Sequence, residues 1–160
     1  MADTVQRLRH RGLKIGSTTG YTRPILDVLL RQAKTQGYAP DCALCPDDVG
    51  AGRPAPWMIY ENAVCLHVYP FEAIVKIGDT ISDIEEGLNA GAWSVGVAAT
   101  GNMIGLSVQE FEALSPPQRK ERLVVARAAL KTAGAHYVVD TLADVHSVLD
   151  EIDARLKSPS

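Results

Sequence analysis

Five short apolar runs, LKIGST (13–18), DCALC (41–45), AIVKIG (73–78), WSVGV (93–97) and AHYVVD (135–140), alternate with segments of helical period. That alternation predicts α/β architecture with a mainly parallel sheet, because a strand returning to its sheet in the same direction needs a crossover, usually a helix. At 160 residues the chain has room for one domain and one core, so a single unit over 1–160 is expected.

The helical segments carry their own start and stop signals. Met1 to His10 reads as a short helix closed by Gly12. Thr22 and Pro24 open a second, whose Ile25, Leu26, Leu29, Leu30 and Ala33 keep helical spacing until Gly37. PDDVGAG reads as a loop, and Pro54 and Pro56 fit the first turn of a helix to about His67, where a missing N–H leaves nothing unpaired. Trp57, Met58 and Tyr60 on that helix suit either a core or an interface. Further helices are expected from about Ser82 to Ala90 and from Leu142 to Leu156. Between them, Ser107 with Glu110 and Ser115 with Gln118 have capping-box spacing, the second pair opening a helix that runs to Gly134.

Several function classes are disfavoured. A formal charge of -3 gives no basic surface, so no nucleic-acid partner is expected. The longest weakly polar stretch, GAWSVGVAATGNMIGL (91–106), is broken by glycines and an asparagine, and charges fill the opening MADTVQRLRHRG. No membrane association is expected, and the cytoplasm is the expected compartment. Cys42 and Cys45 form a single C-x-x-C with no second pair of zinc ligands, which favours inert buried cysteines over a metal or redox centre.

In open α/β sheets, ligands gather outside the carboxyl ends of the strands. Three polar clusters fall there. In STTGYTR, Thr18 or Thr19 offers a hydroxyl and Gly20 lets backbone N–H groups approach an anion, although Thr-Gly is also an ordinary corner. In GAGRPAPW, Arg53 precedes a helix N-terminus, an end that favours anions, so something negative belongs beside it: a ligand, or Asp47 or Asp48. In IVKIGDTISDIEEG, Asp79 at a strand tip and Asp83 one turn on suit Mg²⁺, with Asp79 as direct ligand and Asp83 holding a metal-bound water or orienting Arg53. The plainer alternative is that Asp79 or Ser82 caps the helix while Asp83, Glu85 and Glu86 favour its dipole.

A strand ending in Thr, a G-(K/R)-P-x-P loop and a strand ending in G-D-x-x-x-D, in that order, resemble motifs II, III and IV of the haloacid dehalogenase superfamily. KIGSTTGYTR, PDDVGAGRPAPWMIYENA and KIGDTISDIEEGLNAG are most similar to its phosphonoacetaldehyde hydrolases, which carry arginine at the loop cation, and the resemblance continues through AGAHYVVDTLADV. The resemblance implies a Rossmann-like core with helices on both faces and Mg²⁺-dependent hydrolysis of phosphonoacetaldehyde to acetaldehyde and phosphate. It makes Thr18 or Thr19, with Thr19 preferred for adjoining Gly20, the phosphate-binding hydroxyl. Arg53 becomes the cation on the transferring phosphoryl group, Asp79 the metal ligand and Asp83 its support.

The resemblance also implies two groups that this sequence lacks: a nucleophilic aspartate on a central first strand, and a Schiff-base lysine in a helical cap. None of Lys14, Lys34, Lys76, Lys120, Lys131 and Lys157 stands at a matching position. The expectation is a core incomplete at its N-terminus and inactive alone, with open edges on the strands at 13–18 and 73–78. Those edges would be closed by direct pairing of the two strands, by a complementing N-terminal chain, or by self-association as a homodimer. The rival readings are a phosphomonoester phosphatase and a non-catalytic remnant that binds phosphate or a partner.

Overall fold

The computed structural model describes residues 2–157. Its order is α1 (Ala2–His10), β1 (Gly16–Thr18), α2 (Arg23–Thr35), β2 (Cys42–Leu44), α3 (Pro46–Val49), α4 (Trp57–Leu66), β3 (Val75–Gly78), α5 (Ile81–Asn89), β4 (Trp93–Val97), α6 (Val108–Ala113), α7 (Pro116–Thr132), β5 (Tyr137–Val139) and α8 (Val145–Lys157). All five apolar runs become strands, and every strand pairing is parallel. The α/β architecture read from the alternation is the one observed.

The strands form two sheets. β1 pairs with β2, in register from Gly16 opposite Cys42 to Thr18 opposite Leu44. The second sheet has the order β3-β4-β5, with Val75 opposite Trp93 and Val95 opposite Tyr137. β1 and β3 do not pair, so direct closure of the gap, one of the three expected routes, is not formed. Residues 2–10, which precede β1, are helical and provide no strand between them.

The larger sheet is covered on both faces. On one side Val95, Val97 and Val139 pack with Leu8 of α1 and with Val145, Val148, Leu149 and Ile152 of α8. On the other, Ile84 of α5 meets Ala126 and Leu130 of α7. Gly96 lies under Leu130, whose Cδ1 would stand 3.0 Å from a Cβ there, so the glycine lets α7 sit close to the sheet.

Local departures from expectation have local causes. The strand expected to be buried at 13–18 spans three residues and is partly exposed, because one of its edges lacks a neighbour. PDDVGAG is not wholly loop: Pro46–Val49 form a helical turn closed by Gly50 in the left-handed region. The helix expected from Pro54 begins at Trp57. On it Met58 is fully buried while Trp57 remains half exposed, so that face is core at one position and surface at another. Both expected capping boxes form, on α6 and α7.

Candidate functional site

Thr18, Arg53, Asp79 and Asp83, drawn from three separate sequence clusters, are all tied into the region beside the break between the sheets. α5 is capped by neither Asp79 nor Ser82. Thr80 caps it, accepting from Asp83 N at 3.2 Å, while the Asp83 carboxylate reaches back to the backbone N–H of Thr80. A Cβ on Gly78 would overlap the Asp83 side chain, so a glycine there lets the first turn of α5 fold back against the strand tip.

Asp83 is only 4% exposed and almost saturated with donors. Its Oδ2 accepts from Thr80 Oγ1 at 2.6 Å, Thr80 N at 3.1 Å and Asp79 N at 3.3 Å. Its Oδ1 accepts from an Arg53 Nη1–H and lies 3.1 Å from Lys76 Nζ. Burial alone would raise the Asp83 pKa, but the Lys76 charge, the Thr80 hydroxyl and the Arg53 charge together bring it down to about 2. Asp83 is therefore an anion throughout the physiological range, with little capacity left for a direct metal bond.

Arg53 chooses Asp83 over the neighbouring acidic pair, because Asp47 and Asp48 are engaged by Arg23. The loop carrying Arg53 is held to the end of α5 by Asn89 Nδ2, which donates to Pro54 O at 2.9 Å. Gly20 is open and adjacent: a Cβ there would stand 3.2 Å from Arg53 Nη2. Arg53 and the corner at Gly20 thus face one another.

The two threonines differ. Thr18 Oγ1 donates to Glu86 Oε2 at 3.1 Å and accepts from Lys76 Nζ at 2.7 Å. Thr19 Oγ1 accepts from Tyr21 N at 3.3 Å, and no protein acceptor takes its O–H among the described residues. Thr18 has given its only proton to the protein.

Asp79 ends the loop side of β3, half-buried. Its Oδ2 accepts from Asn102 N at 2.8 Å, and Oδ1 has no protein partner among the described residues. A Cβ on Gly101 would lie 2.5 Å from Asp79 Cβ, which is why that loop can approach so closely. Among the described residues no group of three or more His, Cys, Asp or Glu is arranged to hold a metal. A single free carboxylate oxygen suits a cation that keeps most of its own water, as Mg²⁺ does.

Lys76, Glu86 and Asn102 were not singled out in the sequence for this site. Lys76 offered a signal: a charge in the middle of an apolar run, AIVKIG, needs a buried partner. In the sequence Glu86 reads only as favouring the helix dipole, yet it is fully buried and 2.6 Å from Lys76 Nζ. Lys76 Nζ donates to Thr18 Oγ1 and forms ion pairs with Asp83 and Glu86, so it is enclosed by protein groups.

The cysteines lie elsewhere. Cys45 is fully buried with its thiol 3.3 Å from Asp48 Oδ2, and burial with a Cys65 neighbour pushes the Cys42 thiol up to about 12. Among the described residues no helix is long and apolar enough to cross a membrane.

Comparison with known proteins gives a consistent result. Residues 1–91 match the family model for haloacid dehalogenase-like hydrolases. Phosphonoacetaldehyde hydrolases of Nitratidesulfovibrio vulgaris and Bacillus cytotoxicus are 51% and 49% identical over 98% and 94% of this chain. The chain spans only 56% and 57% of the length of those relatives. A phosphonoacetaldehyde hydrolase-like protein from Oleispira antarctica superposes with a TM-score of 0.94 at 38% identity, over 97% of this chain and 56% of that one. A hydrolase of the same superfamily from Deinococcus radiodurans, solved with bound phosphate and sodium, gives 0.71 at 26% identity, over 99% and 60%. With the family model covering more than half of its residues, the chain belongs to the haloacid dehalogenase-like hydrolases.

Proposed function

We propose that this chain carries the phosphate- and metal-facing part of a phosphonoacetaldehyde hydrolase, whose reaction converts phosphonoacetaldehyde and water into acetaldehyde and phosphate. The observation that carries the reading is identity near 50% with phosphonoacetaldehyde hydrolases across almost the whole chain. In this reading Thr19 donates its free O–H to a phosphoryl oxygen, and Gly20 leaves the corner open for it. Arg53 neutralises the same group, held in place by Asp83. Asp79 would hold Mg²⁺, which when bound supplies positive charge against the phosphoryl oxygens. The hydroxyl inventory at the two threonines supports Thr19 over Thr18.

Two chemical roles have no candidate among the described residues. A nucleophilic carboxylate needs a free, approachable oxygen, and Asp83 and Glu86 are buried, while Asp79 is better placed for metal. A Schiff base needs an approachable amine, and Lys76 Nζ is enclosed by Thr18, Asp83 and Glu86. Residues 1–160 alone are therefore expected to bind phosphate with Mg²⁺ without turnover. The nucleophile would arrive on a strand from outside these residues, seated between β1 and β3, as a complementing N-terminal chain could supply. The unpaired facing edges of those strands favour this second component, and self-association in the cytoplasm is the competing way to cover them.

The test measures acetaldehyde release from phosphonoacetaldehyde with Mg²⁺, using the chain alone and then with the N-terminal part of the Nitratidesulfovibrio relative added. Release is expected only in the mixture, and Asp79→Asn should abolish it. Calorimetry should show phosphate binding to the chain alone, weakened ~10-fold or more by Arg53→Ala. Phosphate binding indifferent to Arg53→Ala and Asp79→Asn would refute the site. Release from a phosphomonoester but not from phosphonoacetaldehyde would refute the substrate.

A further inference from the structure

Lys76 lies at the centre of the site, and no motif assigns it a role. Its stem is clamped between β3 and α5. A Cβ on Gly87 would overlap Ser94 Oγ and lie 2.9 Å from Lys76 Cβ, so the glycine at 87 leaves the lysine its place. The Lys76 side chain is 10% exposed and directs its ammonium toward β1. There it meets acceptors from both sides of the break: Thr18 Oγ1 at 2.7 Å on β1, and Asp83 Oδ1 at 3.1 Å and Glu86 Oε2 at 2.6 Å on α5.

Glu86 completes the arrangement. It is fully buried, its Oε2 is shared by Thr18 and Lys76, and its Oε1 has no hydrogen-bond partner among the described residues. Without Lys76 this carboxylate would be a buried charge with only a hydroxyl beside it, and Asp83 would keep Arg53 as its only cation. Both halves of the site converge on one nitrogen.

We propose that Lys76 is a positioning residue: one ammonium that sets the Thr18–Gly20 corner and the Asp83–Arg53 pair relative to each other across the unpaired gap between β1 and β3. This deepens the reading above and rests on it for the identity of the ligand. The corner follows β1 and Asp83 lies on α5 beside β3, and those two strands do not pair, so the separation between the corner and Asp83 is not fixed by backbone pairing. Lys76 fixes it by a hydrogen bond to Thr18 on one side and ion pairs with Asp83 and Glu86 on the other, and Glu86 keeps the ammonium in place and orients the Thr18 hydroxyl. Thr18 thereby positions Thr19, while Asp83 positions Arg53.

The test uses the full 160-residue chain with Mg²⁺ and inorganic phosphate as probe. NMR spectra follow the amides of Thr18, Thr19 and Gly20 and the side-chain Nε–H of Arg53. Lys76→Met should displace the three amide signals and the Arg53 signal, and weaken phosphate binding ~10-fold. Lys76→Arg should restore most of each effect, which a merely space-filling residue would not require.

Glu86→Gln is the second variant, and it keeps the question open to measurement should Lys76→Met not fold. It should move the corner amides while leaving the Arg53 Nε–H signal near its wild-type position. A folded Lys76→Met chain with unmoved corner amides or an unmoved Arg53 signal would overturn the proposal, as would corner amides indifferent to Glu86→Gln. Those NMR readouts do not depend on phosphate. Failure of the wild-type chain to bind phosphate would instead strike the ligand assignment.

Discussion

Asp83 concentrates most of the electrostatics of the site in one buried carboxylate. Its folded-state pKa of about 2 lies below the ordinary 3.8, so deprotonated Asp83 stabilises the fold above about pH 4, and that contribution fades as pH falls toward 2. The difference corresponds to roughly 2 kcal/mol. Urea unfolding between pH 6 and pH 2 should show wild type losing about that much more stability than Asp83→Asn. Parallel curves for the two proteins would mean that Asp83 is not held as an anion by its neighbours. At this scale the sequence was informative where chemistry coincides with a local signal. Asp79, Asp83 and Arg53 sit in short motifs whose spacing already implies strand tips and helix starts. Lys76 and Glu86 were less legible because their meaning is mutual. Each is explained by the other only after β3 and α5 have been packed together, and no local pattern encodes that meeting.

α5 is the element on which the site is assembled, and its attachment to the sheet depends on two glycines. Gly87 is the more stringent, since its missing side chain is occupied by Ser94 Oγ and the Lys76 stem. Gly87→Ala would gain ~1 kcal/mol of helix propensity but force α5 away from β3 and β4 at a cost near the top of the ~1–3 kcal/mol range for overpacking. A net loss of about 2 kcal/mol is expected in denaturant unfolding, whereas a stabilised variant would mean that α5 already stands off the sheet. The apolar periods of the strands and the helix spacing were readable in advance, as were the boxes at Ser107 and Ser115. The misplaced boundaries lie where a neighbour decides the outcome. β1 is short because its second edge lacks a partner, and the Pro46–Val49 turn forms because Asp48 bonds back to Cys45 N at 2.8 Å.

At the scale of the molecule, β4 is paired on both edges and buried, whereas β1 is paired on one. Hydrogen exchange should therefore be at least ~10-fold slower at the amides of β4 than at those of β1. Protection of β1 that rises with protein concentration would reveal a second copy covering its free edge, and protection already equal at low concentration would contradict the two-sheet arrangement. The alternation of strands and helices made the layers legible, whereas the gap between β1 and β3 is not written in the apolar runs themselves and was legible only through the family resemblance, which implies a strand between them. That separation has a mechanical meaning. A continuous sheet resists being pulled in two because a ladder of backbone bonds must fail together. Among the described residues, a pull directed from β1 toward β3 meets no such ladder; it meets the Lys76 ammonium, the Arg53–Asp83 bond, the Asn89–Pro54 bond and the packing of Ile59 against Ala90 and Ala92. The protein has a plane that no backbone ladder crosses, and the candidate site residues are among the rivets across it.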